Sequence, residues 1–102
     1  MFRRVRARVV LPRIRGRLVD LGCGDGWLVR AYGSGVGLER TDTDDWTRCD
    51  LPYDCVDTVT LVATWNYLSP TQREFVLRTA HRLLARYGRL VGTCATPVGT
   101  TR

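Results

Sequence analysis

Asp20 closes a short apolar run, Leu18-Val19-Asp20-Leu21, and three glycines follow it at alternate positions, Gly22, Gly24 and Gly26. Glycine opens backbone conformations closed to other residues and lets a ligand come close to the main chain. A helix entered at Trp27 straight after such a turn begins with N–H groups that no intrahelical carbonyl satisfies, which are donors for a carboxylate or a hydroxyl. The spacing sorts among nucleotide-type sites. A dinucleotide fingerprint, G-x-G-x-x-G, seats a pyrophosphate on the helix N-terminus. Here the order is D-x-G-x-G-x-G, with a carboxylate beside the turn. That charge repels a phosphate and suits an ammonium group such as an amino acid carries. The chain has no lysine, so a P-loop is excluded. The plain alternative is a strand-to-helix turn that binds nothing.

A second acid follows at the matching place. Gly35-Val36-Gly37-Leu38-Glu39 is another short apolar run ending in a carboxylate, nineteen residues after Asp20. In an open parallel α/β sheet such an acid lies at the carboxyl end of the neighbouring strand, where it accepts hydrogen bonds from both ribose hydroxyls. Farther along come Asp57-Thr58-Val59-Thr60-Leu61-Val62-Ala63-Thr64-Trp65-Asn66-Tyr67-Leu68 and Arg82-Leu83-Leu84-Ala85-Arg86-Tyr87-Gly88-Arg89-Leu90-Val91. In order and spacing these four segments resemble the class I, Rossmann-like methyltransferases that use S-adenosylmethionine (SAM). The glycine run is similar to that family's first motif. The later segments are similar to its "FDVV…EHL" stretch and to its "R-L-L-K-P-G-G-R-L-V" helix end and strand. The likeness covers about residues 17–94.

The resemblance implies an α/β fold, a three-layer sandwich around a reduced, mainly parallel sheet of about five strands. It implies SAM as cofactor, with Asp20 and the backbone of Gly22, Cys23 and Gly24 holding the methionine end and Glu39 the ribose. Asp50 and the N–H of Leu51 are the implied adenine contacts, because Asp50-Leu51-Pro52-Tyr53 looks like the family's "D…LPF" run; Asp45 competes with Asp50 for that role. Val62 and Ala63, leaving the strand that begins near Asp57, would pass close to the adenosine or the methyl. The acceptor side departs from the family: Asn66-Tyr67 stands where a Glu-His pair is frequent, and N-P-P-Y is missing. No general base is assigned. Trp65 and Tyr67 would flank an acceptor or simply pack. Two functions follow: a minimal SAM-dependent methyltransferase with an unidentified acceptor, or an inactive SAM-binding or protein-interaction module of the same fold.

At 102 residues the chain makes one domain, able to bury roughly 65% of its unfolded surface. No apolar run reaches membrane-span length, and the basic N-terminus lacks a signal peptide's apolar core. The four cysteines, Cys23, Cys49, Cys55 and Cys94, have neither zinc spacing nor a histidine cluster, and read as small, mostly buried thiols in a reducing cytoplasm. Charge is placed unevenly. Residues 1–17 hold seven arginines and no acid, while the rest carries nine arginines against ten acids. Such an arm suits nucleic-acid phosphates or an acidic partner. The favoured reading of residues 1–16 is nonetheless an edge strand or loose tail, since Val5, Ala7, Val9 and Leu11 alternate with arginine.

The elements that must position the site follow within residues 17–102. Strands are expected over 17–21, 35–39, 57–63 and 89–94, with a short helix from Trp27 to Tyr32. Residues 40–48 are too short for a crossover helix and a full third strand. Ser69, Pro70 and Gln72 start a capped helix whose Val76, Ala80, Leu83, Leu84 and Tyr87 share a face, with Gly88 ending it. Phe75, Leu77 and Tyr87 are expected in the core, and His81 at the surface. The family's last helix and two strands are missing, which leaves the final strand as an apolar edge. A homodimer, a partner chain or the basic N-terminal segment is expected to cover it.

Overall fold

The computed structural model describes residues 2–39 and 51–93. Four strands, β1 (Leu18–Leu21), β2 (Val36–Leu38), β3 (Val56–Leu61) and β4 (Leu84–Gly92), form one sheet in the order β2-β1-β3-β4. Every pairing is parallel, with Asp20 opposite Gly37 on one side and Thr60 on the other. Helix α2 (Trp27–Tyr32) carries the chain from β1 outward to β2, and α3 (Pro70–Leu83) carries it from β3 outward to β4 in the opposite direction. The order reverses between β1 and β3, and in open α/β sheets ligands sit at the carboxyl ends beside such a reversal. The fifth strand expected between β2 and β3 would fall in 40–50, outside the described residues.

Alternation along the central strands makes two cores. Val19, Leu21, Val59 and Leu61 face α3, meeting Val76, Ala80 and Leu83. Leu18 and Val62 face the other way, onto Leu28 of α2 and onto Val10 and Ile14 of the N-terminal segment. A sheet buried on both faces is what the near-continuous apolar strands β1 and β3 require. The result is a reduced Rossmann-like sandwich of three layers. No helix among the described residues is long and apolar enough to cross a membrane.

The N-terminal segment is not an edge strand. Residues Phe2–Val10 form a helix, α1, followed by a 3-10 turn over Leu11–Arg13. Val5 and Val9, members of the alternating set, are exposed, while Val10 and Ile14 are buried and Arg6, Ala7 and Leu11 half-buried. Positions 6, 7 and 10 share one face of α1, and the 3-10 turn brings Leu11 and Ile14 in behind them. Arginine is itself a good helix former, so the alternation carried no strand preference.

The segment is then pinned to the sheet. The fully buried Thr58 accepts from the Arg15 N–H at 3.1 Å and donates to the Arg15 carbonyl at 2.8 Å. Asp57 Oδ2 accepts from the Arg17 N–H at 2.7 Å and from its Nε at 3.1 Å, and these bonds hold the Asp57 carboxyl below its ordinary range. Thr58→Val keeps the shape of the side chain but strips both partners from Arg15. It is expected to cost about 1–3 kcal/mol, read as a lower denaturant midpoint with an unchanged slope.

Helix α3 starts as expected. Ser69 Oγ accepts from Gln72 N, and the Gln72 side chain accepts from Ser69 N. It ends earlier than its pattern implies. The carbonyls of Arg82 and Leu83 accept from Asp54 N at 3.1 Å and Cys55 N at 2.9 Å, and Leu84 is already extended. The helix is thus closed by a distant segment, not by Gly88. Between the pairs Val56–Leu84 and Thr58–Arg89, β4 carries three extra residues and bulges. Tyr87 stands out there at 79% exposure, and Phe75 and Leu77 are exposed too, so none of the three is core. Leu77 and Leu90 flank an open groove of about 340 Å³ along the β4 side.

Candidate functional site

The carboxyl ends of β1 and β2 bring both acids together. Asp20 is only 3% exposed, and Thr60 Oγ1 donates to its Oδ1 at 2.7 Å. Burial pushes its pKa up to about 6, against the Thr60 hydrogen bond and with help from the Glu39 charge. An acid so placed is short of positive charge, and a cation beside it lowers the cost of its ionisation. Glu39 follows the last residue of β2 and is exposed. A Cβ built on Gly24 would lie 3.9 Å from Glu39 Oε2, so the glycine turn passes directly over this carboxylate.

The turn is held by the sheet below it. Gly22 N donates to the Leu38 carbonyl at 2.7 Å and Cys23 N to the same oxygen at 3.3 Å. Gly26 N donates to the Cys23 carbonyl, and Trp27 N to Asp25 Oδ1 at 3.1 Å. Of these, the Gly22, Cys23 and Trp27 N–H groups, expected as donors to a ligand, hold the turn together. Gly22 needs to be glycine on two counts: its φ is +78°, and a Cβ would sit 2.6 Å from Thr64 Oγ1. Cys23 is half-buried against Gly37, and burial, with Glu39 and Asp20 nearby, raises its thiol pKa.

The remaining expected residues divide. Leu51 packs on the α3 core, and Asp50, with its competitor Asp45, lies outside the described residues, as do Cys49 and Cys94. Val62 is buried with Leu18 and Leu28, so its side chain belongs to the core and only its backbone borders the crevice. Ala63 next to it is left-handed at φ 58°, its N–H donating to Thr93 Oγ1 at 2.8 Å. Trp65 and Tyr67 form a 3-10 turn in which Arg73 lies over the Trp65 ring and Tyr67 is open to solvent. Thr60 and Thr64 were not anticipated. The signal for Thr60 was present, a hydroxyl within the apolar run Val59–Val62, and the register sets it directly opposite the acid it serves.

No family model and no curated protein matches the chain. Solved structures do. A protein of Pyrococcus horikoshii OT3 superposes with a TM-score of 0.70 at 18% identity, covering 89% of this chain and 52% of that one. A SAM-dependent methyltransferase of Thermotoga maritima, described as a possible histamine N-methyltransferase, gives 0.67 at 20% identity, covering 84% and 48%. A SAM-dependent methyltransferase of Archaeoglobus fulgidus gives 0.62 at 20%, covering 82% and 48%. The fold is that of the class I methyltransferases, in reduced form. The chain spans about half the length of each structure it matches.

Proposed function

We propose that this is a SAM-dependent methyltransferase domain of minimal size, with its cofactor in the crevice at the carboxyl ends of β1 and β2. The supporting observation is the pair of acids: Asp20, buried and raised to about 6, and Glu39 beside it under one glycine turn. A ligand with an ammonium group at one end and vicinal hydroxyls at the other matches that pair, and SAM has both. Asp20 takes the ammonium and Glu39 accepts from the ribose hydroxyls. Gly22, Cys23 and Gly24 shape the wall between them, and Asp50 and Leu51 are assigned to the adenine. SAM supplies a methyl already activated by its sulfonium. The residues named here bind and orient it, which is the larger share of an in-line displacement.

On this reading a second copy or a partner chain pairs with the outer edge of β4, where Leu90 is exposed. The free, half-buried thiols of Cys23 and Cys55 suit a reducing cytoplasm. Calorimetric titration with SAM and with its demethylated product tests the cofactor assignment. Both are expected to bind, and Glu39→Gln is expected to weaken both by about tenfold, the loss of one charge-assisted acceptor. Heat-silent titrations with no shift in melting temperature, for either compound, would overturn it.

A further inference from the structure

We propose that the end of the sheet opposite the acidic crevice binds single-stranded nucleic acid, through Arg15, Arg86 and Arg89 gathered beside the exposed ring of Tyr87. In a parallel sheet all amino ends lie together. Here the segment entering β1 meets the bulge at the start of β4. Arg15 Nη2 donates to the Tyr87 carbonyl at 2.6 Å, Arg89 Nη1 to the Arg13 carbonyl at 3.4 Å, and the Arg86 guanidinium lies 5.3 Å from the Tyr87 ring centre. The Arg15 and Arg86 guanidiniums thus both meet Tyr87, the Arg89 guanidinium reaches the backbone two residues before Arg15, and all three residues are exposed, while the Arg13 guanidinium turns back to the Val9 carbonyl.

Their charge is not neutralised from within. Among the described residues the ion pairs are Arg17–Asp57, Arg30–Asp25 and Arg78–Glu74, none of which involves Arg15, Arg86 or Arg89. Among the described residues the acids at this end are Asp54 and Asp57, and Asp57, which also feels Arg15, is already held by Arg17. Three like charges in one place repel one another, and a polyanion relieves that repulsion while releasing its counterions.

Tyr87 decides among polyanions. Its φ of 67° is rare for a residue with a bulky side chain, and the bulge presents the ring to water. An exposed aromatic ring with one guanidinium against it and others at its backbone stacks an unpaired base and holds the neighbouring phosphates. A duplex hides its base faces, so the match is to a single strand. This assignment is independent of the cofactor site, which lies at the other end of β1, roughly 13 Å of strand away.

Fluorescence anisotropy of a labelled oligouridylate with the full chain tests it. Affinity is expected to fall steeply with salt. Arg86→Gln with Arg89→Gln is expected to lower the salt slope by about 0.7 for each phosphate that is no longer neutralised. Tyr87→Ala is expected to weaken binding about tenfold where Tyr87→Phe does not, the difference being one stacked base. Melting curves establish that each variant is folded, and Tyr87→Ala decides alone should the double variant not be. No salt-sensitive binding, or Tyr87→Ala binding as tightly as the parent, overturns the proposal. So does tighter binding of polyglutamate or of anionic phospholipid vesicles through the same residues, which would make the partner an acidic protein or a membrane.

Discussion

Asp20→Asn is expected to make the free protein more stable at pH 7 while removing its cofactor binding. In the fold the carboxyl has a pKa of about 6, against an ordinary value of 3.8. Between those values the folded state keeps a proton that the unfolded chain has released, so stability falls as pH rises through this window. Above about pH 6 the full penalty applies, on the order of 2–3 kcal/mol for a shift of this size. Asparagine keeps an oxygen for the Thr60 hydroxyl and carries no charge to desolvate. The melting temperature is expected to rise by roughly 10 °C at pH 7 and by little near pH 4, where the folded acid is protonated and the unfolded one is only partly ionised. Affinity for SAM is expected to fall at least about a hundredfold, because an ammonium loses its only buried counter-charge. An Asp20→Asn protein no more stable at pH 7 than at pH 4, relative to the parent, would show that the carboxylate is not desolvated.

That expectation joins two facts of different legibility. The position of Asp20 was plain in the sequence, because an acid closing an apolar run before alternating glycines has few structural uses. Glu39 was plain for the same reason, and the parallel register puts it one step beyond the strand beside Asp20. The raised pKa was not legible. It needs the burial of Asp20 beside Thr60 in the assembled sheet, and that depends on how distant segments pack. The same contrast runs through the fold. The Ser69–Gln72 box starts α3 by local chemistry and was read correctly. Its end at Leu83 is set by N–H groups nearly thirty residues upstream in sequence, Asp54 and Cys55, which no local pattern encodes. The N-terminal segment misled because alternation was weighed above the helical spacing of Arg6, Ala7 and Val10, and the burial that marks Val10 and Ile14 comes only with the fold. Likewise the glycine turn was legible as a turn, but its N–H groups prove to serve Leu38 before any ligand.

Gly35→Ala is expected to be the most damaging single-methyl change in the chain. At φ +119° the residue occupies a region that is nearly closed to L side chains. A Cβ there would also lie 2.9 Å from the Leu18 carbonyl oxygen and 3.0 Å from the Leu18 Cβ. Both atoms belong to β1, the buried strand between β2 and β3, so neither moves without dragging the pairings on both sides. Backbone strain and overpacking together are expected to cost about 3–5 kcal/mol, a large share of the roughly 5–15 kcal/mol a small domain has. Gly33, two residues earlier, supplies the control. It is also left-handed, at φ +100°, where it closes α2, yet a Cβ would meet nothing within 4 Å. Gly33→Ala is therefore expected to cost only about 1 kcal/mol, the conformational part alone. Chemical denaturation of the two variants side by side separates steric closure from conformational strain, and equal losses would mean that β2 does not press on β1 at this point. The comparison bears on function as well. Gly35 sets how closely β2 approaches β1, and that approach brings Glu39 beside the turn that follows Asp20. Whatever fraction of Gly35→Ala folds is expected to hold the two acids farther apart and to bind SAM more weakly than Gly33→Ala does.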